Sequence, residues 1–573
     1  MSNNNFIVRK AAVLGAGVMG AQIAAHLVNA NVETLLFELP GKQGDPNANV
    51  VKAVENLKKQ EPAPLSVTAR AACIQPANYD QHLELLRDCD IVIEAIAERM
   101  DWKTELYTRV APYLGAHTIF ASNTSGLSIN QLAQAFPENL RHRFCGVHFF
   151  NPPRYMHLVE LIACEGSDAA MLDDLEKFLV TYLGKGVIRA KDTPNFVANR
   201  VGIFSMLATM HHAREFGLGF DLVDALTGSL IGRAKSATFR TADVVGLDTL
   251  AHVINTMRDG LSADPWHRYY AAPDWLQGLI DSGALGQKSK RGVYQKVGKE
   301  IQVLDLATKE YRPAAGEADH AIKELLKRKS PAEKFAALRA SQHPQAQFLW
   351  AMYRDLLHYC AVHLAAIADN ARDLDLAMRW GFGWNQGPFE IWQAAGWSQI
   401  ASWINEDIAA GKSMSAAPLP AWVLEPDRSG VHAAQGSYAP AANTQRPRST
   451  LPVYRRQLFP DRLLGEETQY GETIFETDAV RMWHTGDDIA IVSFKSKMHT
   501  IGSDVLDGVQ QAIAEAEDNW RALVIWQTEP PFSAGANLQK ATERLKSNGP
   551  PSTFSLLAWK IKKTAQAAVL KAA

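Results

Sequence analysis

Short apolar runs alternate with helical patterns along the first third of the chain. The runs cover residues 6–14, 32–37, 90–96, 118–124, 144–150, 158–163 and 186–190. Runs of this length predict strands that are buried on both faces. Their alternation with helices predicts a doubly wound parallel sheet of the Rossmann type, whose ligands lie beyond the carboxyl ends of the strands. The polar residues just past those ends are therefore the candidates for chemistry.

The pattern turns helical after this region and then repeats itself. DLVDAL at 221–226 matches DLDLAM at 373–378, and each copy closes on a Gly-x-Tyr motif, at 292–294 and at 436–438. No glycine-rich loop or histidine motif precedes the second copy, so we expect it to lack a catalytic site. The predicted domains are a Rossmann domain at 1–193, a helical domain at 194–300, a connector at 301–345, a second helical copy at 346–438, a linker at 439–470 and an α/β segment at 471–573.

Length and charge narrow the class of protein. A chain of 573 residues predicts three or four domains, and a formal net charge of −2 argues against nucleic acid as a partner. The five cysteines are widely spaced without a CxxC pair, so neither a disulfide framework nor a metal site is predicted. No segment resembles an export signal or a membrane span, and we expect a cytoplasmic protein.

A GxGxxG motif follows the first predicted strand and precedes a helical pattern. Gly15 would permit the tight turn, Gly17 the close approach of a pyrophosphate, and Gly20 the packing of the helix. Val18 and Met19 would then lie at the helix N-terminus, which attracts anions. Glu38 ends the second predicted strand, where a carboxylate can bind both ribose hydroxyls and repel a 2′-phosphate. The motif and Glu38 therefore predict NAD as cofactor, and the alternative for Glu38 is a solvated charge at the end of a strand.

Polar residues follow the later strands at Ser125, His148, Glu160 and Asn199. A histidine beside a carboxylate can remove a hydroxyl proton near neutral pH, while hydride leaves the same carbon for a nicotinamide. Hydroxyl and amide groups can hold the substrate oxygen. A lone histidine in an apolar strand is more often a core residue, and spacing alone does not show that His148 and Glu160 meet.

The segments VLGAGVMGAQIA, IEAIAE, IFASNTSGLSI, GVHFFNPPRYMHLVELI and KDTPNFVANR resemble those of the 3-hydroxyacyl-CoA dehydrogenase family of fatty-acid β-oxidation. The resemblance implies NAD-dependent oxidation of (S)-3-hydroxyacyl-CoA to 3-oxoacyl-CoA. It implies that His148 is the general base, that Glu160 orients it, and that Ser125 and Asn199 bind the C3 oxygen. The positions that it assigns to the cofactor and reaction pocket are Glu98, Lys103, Asn123 and Asn151. Asn195 stands where the family usually has glycine, and asparagine tolerates a positive φ.

The same resemblance bears on partners. The substrate would be an acyl-CoA thioester, and Lys58 and Lys59 are candidate contacts for its phosphates, although adjacent lysines are usually only solvated. In long members of the family the second helical copy packs on the first as an internal pseudo-dimer, which we expect here. A homo-oligomer is also compatible with the sequence.

The last segment resembles the start of a crotonase, or enoyl-CoA hydratase, domain. Its FSAGANL run makes the Ala536 N–H a candidate donor to a thioester oxyanion. The Gly-rich, Glu-containing segment of that family does not follow, so we expect no hydratase activity from this segment, which is either part of a longer multifunctional protein or a remnant. Two alternatives stay open for the chain: a bifunctional hydratase and dehydrogenase, and a non-catalytic scaffold that binds NAD.

Overall fold

A computed structural model describes residues 6–455, 457, 461–466, 471–486, 488–529 and 531–538. The described residues form two compact units, one within the ranges 1–456 and 462–466, the other within 457–461 and 467–573. The larger unit contains the Rossmann-type sheet and the helical regions. Within the described ranges, no helix combines the length and apolarity needed to cross a bilayer.

The larger unit begins with an eight-stranded sheet of order β3-β2-β1-β4-β5-β6-β7-β8. All neighbouring strands are parallel except β6 and β7, which are antiparallel. The strands are β1 Lys10–Leu14, β2 Glu33–Glu38, β3 Ile74–Asn78, β4 Ile91–Glu94, β5 Ile119–Ser122, β6 Phe144–Phe149, β7 Leu158–Ala163 and β8 Gly186–Ala190. The prediction of a doubly wound α/β domain is confirmed.

Helices cover both faces of this sheet and bury its apolar strands. They are α1 Val18–Asn29, α2 Ala48–Leu57, α3 Met100–Val110, α4 Ile129–Ala133, α5 Glu138–Arg141 and α6 Ala169–Thr181. The predicted first strand was too long at its start, because pairing begins only at Lys10. The sequence pattern missed β3, whose apolar run is broken by Gln75 and Pro76. Proline is tolerated there because β3 is an edge strand.

Helices dominate the rest of the larger unit. They are α7 Ala198–Glu215, α8 Phe220–Thr227, α9 Phe239–Val245, α10 Leu247–Gly260, α11 Asp274–Asp281, α12 His320–Leu326, α13 Pro331–Ala340, α14 Pro344–Ile367, α15 Ala371–Phe382, α16 Pro388–Ala395, α17 Trp397–Ala409 and α18 Pro452–Arg455. Two small antiparallel sheets accompany them, formed by β9 Tyr294–Val297, β10 Glu300–Leu304 and β11 Tyr311–Pro313, and by β12 His432–Ala433, β13 Gly436–Ala439 and β14 Thr444–Arg446. The long helices α7 and α14 pack against each other along the centre of this region.

Local details recur between the two halves of the helical region. Gly246 joins α9 to α10 with a φ of 100°, and Gly396 joins α16 to α17 with a φ of 99°. The buried carboxylate of Asp224 accepts backbone N–H groups at the start of α9. The buried carboxylate of Asp375 does the same at the start of α16. Each carboxylate therefore satisfies helix N–H groups that have no intrahelical acceptor.

The smaller unit contains one four-stranded sheet of order β15-β16-β17-β18. Its elements are β15 Glu472–Glu476, β16 Val480–His484, β17 Ile489–Phe494, α19 Ser503–Asn519 and β18 Ala522–Ile525. The first three strands are antiparallel, while β17 and β18 are parallel and joined through α19. The apolar face of α19 packs on this sheet and forms a separate core.

Candidate active site

The glycine-rich loop between β1 and α1 has the backbone shape that a dinucleotide phosphate needs. Gly15 has a φ of 104°, which residues with a side chain rarely adopt. A Cβ built on Gly20 would lie 1.9 Å from the Gly15 carbonyl oxygen, so only glycine allows this helix packing. A Cβ on Gly17 would meet no atom within 4 Å, which leaves room in front of the N–H groups of Val18 and Met19. An anion fits at this helix N-terminus.

Glu38 lies beside the same loop, at the end of β2. Its Oε2 accepts the Ala16 N–H at 2.9 Å, and its Oε1 accepts the Leu39 N–H at 2.8 Å. These two bonds fix a half-buried carboxylate next to the space in front of α1. Each oxygen keeps a second lone pair, so the carboxylate can still accept the hydroxyls of a ribose. The residues present therefore fit NAD.

His148 and Glu160 meet directly, which the sequence could not show. Register in the antiparallel pair β6 and β7 places the two residues opposite each other. The His148 Nδ1 lies 2.7 Å from Glu160 Oε2, and both side chains are buried. The rings of Phe150 and Phe196 flank the imidazole, with centroids 4.5 Å and 5.8 Å away. The pair is thus held in an apolar environment, with Nε2 making no hydrogen bond to a described residue.

The second oxygen of Glu160 binds the start of α7. Its Oε1 accepts the N–H of Val197 at 3.0 Å and of Ala198 at 2.8 Å. A carboxylate at a helix N-terminus is favoured by the N–H groups that have no intrahelical acceptor and by the helix dipole. Asn199 is the second residue of α7. One carboxylate therefore orients both His148 and the helix that carries Asn199.

The loop after β5 is tied to this pair from the other side. Asn123 Oδ1 accepts the Phe149 N–H at 2.9 Å, next to His148. Glu98 Oε1 accepts the Thr124 hydroxyl at 2.5 Å and the Ser125 N–H at 2.9 Å. The loop that carries Ser125 is therefore fixed by two side-chain acceptors.

Glu94, which the sequence did not single out, is linked to Glu98 through Lys103. Its buried carboxylate accepts Lys103 Nζ at 2.6 Å, the Tyr107 hydroxyl at 2.5 Å and the Ser122 hydroxyl at 2.8 Å. Lys103 is 1% exposed, and its Nζ also lies 3.8 Å from Glu98 Oε2. Burial and the adjacent carboxylate raise the pKa of Tyr107 well above its usual range. A glutamate inside the apolar run 90–96 was the available sequence signal.

The turn before α7 contains the departure from the family pattern. Asn195 has a φ of 62°, so it adopts the left-handed conformation that glycine would supply. Its side chain is buried, and its amide donates to the Val253 carbonyl oxygen at 3.1 Å. A Cβ built on Gly126 would lie 2.6 Å from Asn195 Oδ1. The loop after Ser125 therefore packs tightly on this turn.

The C-terminal end of α15 packs behind the His148–Glu160 pair. A Cβ built on Gly381 would lie 2.8 Å from Leu158 Cδ2 and 3.4 Å from Ala198 Cβ. The ring of Phe382 covers Gly202 in α7 in the same way. The second half of the helical region thus contacts Leu158, which lies on the same strand as Glu160, and Ala198, which precedes Asn199. No sequence motif predicted this contact.

The remaining predicted residues lie further out. Asn151 Oδ1 accepts Gln22 Nε2 from α1 at 3.4 Å. Lys58 and Lys59 are exposed at the end of α2, and Lys58 pairs with Glu55 at 2.5 Å. Ala536 is exposed in the smaller unit and forms a parallel bridge with Ile501. The proposed CoA and oxyanion contacts stay predictions.

Comparison with known proteins identifies the family of this chain. The family model described as "3-hydroxyacyl-CoA dehydrogenase, NAD binding domain" matches residues 10–193, and that described as "3-hydroxyacyl-CoA dehydrogenase, C-terminal domain" matches residues 196–296. A "Probable 3-hydroxyacyl-CoA dehydrogenase" of Bacillus subtilis is 34% identical over 553 residues, which cover 93% of this chain and 68% of that protein. The chain belongs to the 3-hydroxyacyl-CoA dehydrogenase family.

Other relatives have the same family name or the same fold. The mitochondrial hydroxyacyl-coenzyme A dehydrogenase of Rattus norvegicus is 30% identical over 298 residues, 50% of this chain and 91% of that one. The crystal structure of a 3-hydroxybutyryl-CoA dehydrogenase from Escherichia coli K12 superposes with a TM-score of 0.53 at 21% identity, covering 71% of this chain and 96% of that one. This structural match shows a shared fold. The matched family is one of NAD-binding oxidoreductases that act on a CH–OH group.

Proposed function

We propose that this 3-hydroxyacyl-CoA dehydrogenase family member oxidises (S)-3-hydroxyacyl-CoA to 3-oxoacyl-CoA in fatty-acid β-oxidation, with His148 as general base. The observation that carries the proposal is the buried His148–Glu160 pair at 2.7 Å, within a fold that also presents a glycine-rich loop suited to NAD. The family of the matched domains supports the substrate class.

The hydrogen bonds around His148 favour one tautomer. Glu160 accepts a hydrogen bond from the Nδ1–H group, so the proton stays on Nδ1 and the lone pair is on Nε2. Nε2 takes the proton of the C3 hydroxyl, and the carboxylate stabilises the imidazolium that forms. The side chains of Ser125 and Asn199 make no hydrogen bond to any described residue, so both can donate to the C3 oxygen. The reaction needs one proton acceptor and one hydride acceptor.

When bound, NAD supplies the hydride acceptor at its nicotinamide ring. The N–H groups at the start of α1 would hold the pyrophosphate, and Glu38 would hold the adenosine ribose. The residues proposed to border the nicotinamide and the reacting carbon are Glu98, Lys103, Asn123 and Asn151. Lys103 would position Glu98 and would not touch the cofactor itself, because its Nζ is buried between Glu94 and Glu98.

Initial rates of NADH formation with 3-hydroxyacyl-CoA substrates of increasing chain length test reaction, cofactor and substrate together. His148→Ala is expected to lower kcat by about 10²- to 10⁴-fold while NADH binding is retained. His211→Ala, which alters a histidine of α7 that does not contact this pair, is the matched control. Normal turnover by His148→Ala would refute the assignment, and tight NAD binding without any NADH formation would favour a non-catalytic scaffold.

The two halves of the helical region are proposed to be tandem copies that form an internal pseudo-dimer. The recurring Gly246 and Gly396 junctions, the Asp224 and Asp375 caps and the packing of α7 on α14 support this reading. The second copy would then occupy the surface through which a single-copy protein pairs with a partner. Sedimentation of the full chain as a monomer would support the proposal, and a dimer that dissociates on substitution of exposed α7 residues would contradict it.

The smaller unit is proposed to be crotonase-like. Its βαβ connection and the Ala536 N–H, which donates to no acceptor among the described residues, support this reading. A bifunctional hydratase and dehydrogenase is the second candidate function. Enoyl-CoA with NAD, without an added hydratase, would then produce NADH, and Ala536→Pro would abolish it by removing the N–H. Absence of NADH until a hydratase is added would exclude that candidate.

A further inference from the structure

A cavity whose lining includes none of the His148-site residues lies where α12 and α13 meet both halves of the helical region. It has a volume of about 370 Å³, within the range of small-molecule sites. Most of its wall is apolar, with Leu326, Phe335, Leu338, Tyr353 and Ile391 among the lining residues. We name it the Arg233 cavity, after the guanidinium in its wall.

Arg233 has no anionic partner in the described part of the chain. Its Nη2 is buried and makes no hydrogen bond to any described residue. Its guanidinium carbon lies 4.0 Å from the ring centroid of Trp384, which is itself buried. Burial lowers the pKa of Arg233 to about 10. Arg233 as a whole is half-buried, and since a guanidinium stays protonated at neutral pH, it carries a positive charge there without a described partner.

The other charged residue of the cavity wall has the same sign. Lys334 in α13 lines it, and no described carboxylate does. Asn385 and Gln386 supply amides, and the Asn385 N–H donates to the Gly232 carbonyl oxygen at 2.8 Å, which fixes the loop before Arg233. The wall thus carries two cations and no described anion, and leaving the buried Nη2 of Arg233 without a hydrogen bond costs free energy.

We propose that the Arg233 cavity binds a small amphipathic carboxylate, with its carboxylate on Arg233 and its apolar chain against Phe335, Leu338 and Ile391. A planar guanidinium binds a carboxylate through two parallel hydrogen bonds, and the free Nη2 is available for one of them. At roughly 30 Å³ for each water-sized group, the cavity holds about twelve non-hydrogen atoms. Decanoate has this size and this chemistry.

Calorimetric titration of the full chain with decanoate tests the proposal. We expect one site per chain, weakened about 10- to 100-fold by Arg233→Met, because the charge-assisted hydrogen bonds are lost. Arg240→Met is the matched control, since Arg240 also stacks on an aromatic ring, that of Tyr294 at 4.2 Å, away from this cavity. Decanol and inorganic phosphate test the head group and the chain separately, and both are expected to bind at least tenfold more weakly than decanoate.

Thermal unfolding without ligand separates a binding role from a structural one. Arg233→Met is expected to raise Tm, because it removes a cation whose buried Nη2 has no hydrogen-bond partner among the described residues, whereas an arginine kept for packing on Trp384 would lower Tm when replaced. Ala394→Leu fills part of the cavity and leaves Arg233 in place, so it is expected to weaken decanoate binding without loss of the charge.

Binding to the acyl pocket of the dehydrogenase site is the competing explanation. Saturating acetoacetyl-CoA and the His148→Ala variant are both expected to leave decanoate affinity unchanged. Displacement of decanoate by acetoacetyl-CoA, equal affinity in Arg233→Met, absence of decanoate binding, or phosphate binding as tight as decanoate would each overturn the proposal. None of these results depends on dehydrogenase activity.

Discussion

Replacing Glu160 by glutamine would change a single atom of the candidate site, and the structure fixes where that atom goes. Glu160 Oε1 accepts two N–H groups, from Val197 and Ala198, and Oε2 faces His148 Nδ1. If the amide nitrogen faced α7, its own N–H groups would point at the N–H groups of Val197 and Ala198, and no hydrogen bond could form. The amide oxygen therefore stays on α7, and the amide nitrogen donates to Nδ1. That hydrogen bond forces the proton onto Nε2, where the base must be free.

The expected loss follows from the same geometry. The variant lacks the anion that stabilises the imidazolium, and two unit charges about 4 Å apart at an effective dielectric constant of about 20 attract by about 4 kcal/mol. This corresponds to about a thousandfold in rate, within the range of a general base. NADH binding should change little, because Glu160 does not lie on the glycine-rich loop. The fold should persist, because the amide oxygen keeps both hydrogen bonds to α7.

Single-turnover NADH formation from 3-hydroxybutyryl-CoA, with NADH binding measured separately, checks the prediction. Glu176→Gln is the matched control, since Glu176 is also a buried carboxylate but pairs with Arg189 and the Tyr454 hydroxyl. We expect that control to lose stability and keep its rate. If Glu160→Gln retained more than about a tenth of the wild-type rate, the proposed tautomer control would be wrong.

Three further substitutions probe other parts of the molecule. Glu38→Ala should weaken NAD binding about tenfold or more and reduce the ratio of NAD affinity to NADP affinity, both measured by fluorescence titration. An unchanged ratio would show that Glu38 does not bind the ribose. Gly381→Leu should lower Tm and reduce kcat by at least about tenfold, because its side chain would displace Leu158 and the residues that orient Glu160. Burial alone would raise the pKa of Asp221, but hydrogen bonds from Arg312 and two backbone N–H groups lower it to about 2. Asp221→Asn should therefore lower the free energy of unfolding by about 1–2 kcal/mol at pH 7, a figure discounted because Arg312 is part-exposed. This loss should shrink as pH falls from about 4 towards 2, because the folded-state pKa lies below the unfolded one. Equal losses in urea unfolding at pH 7 and at pH 3 would contradict this prediction.

Local sequence determined the parts of the site that lie within one strand, turn and helix. The GxGxxG loop and Glu38 are such parts, because the spacing of a βαβ unit fixes where they meet. The strand pattern also located most of the sheet, since a strand that is buried on both faces of a sheet has a continuous apolar run. It failed at Ile74–Asn78, where an edge strand tolerates polar residues and proline.

Other residues were visible in the sequence without their connections. His148 and Glu160 are twelve residues apart, and only the register of β6 against β7 makes them partners. The family resemblance assigns Lys103 to the cofactor and reaction pocket, and only the fold shows that its ammonium group is buried against Glu94. Such pairings depend on which side chains a sheet and its helices bring together, which sequence spacing does not encode.

The sequence alone therefore determined the cofactor loop, pointed to the candidate catalytic residues and suggested the proposed second helical copy, because each corresponds to a contiguous motif. Only the tertiary structure decided that α15 packs behind the His148–Glu160 pair through Gly381. It likewise decided that Nη2 of Arg233 is buried without a hydrogen-bond partner among the described residues. Burial and close contact between distant segments arise when the helical halves pack together, and that packing is a property of surfaces rather than of any one motif.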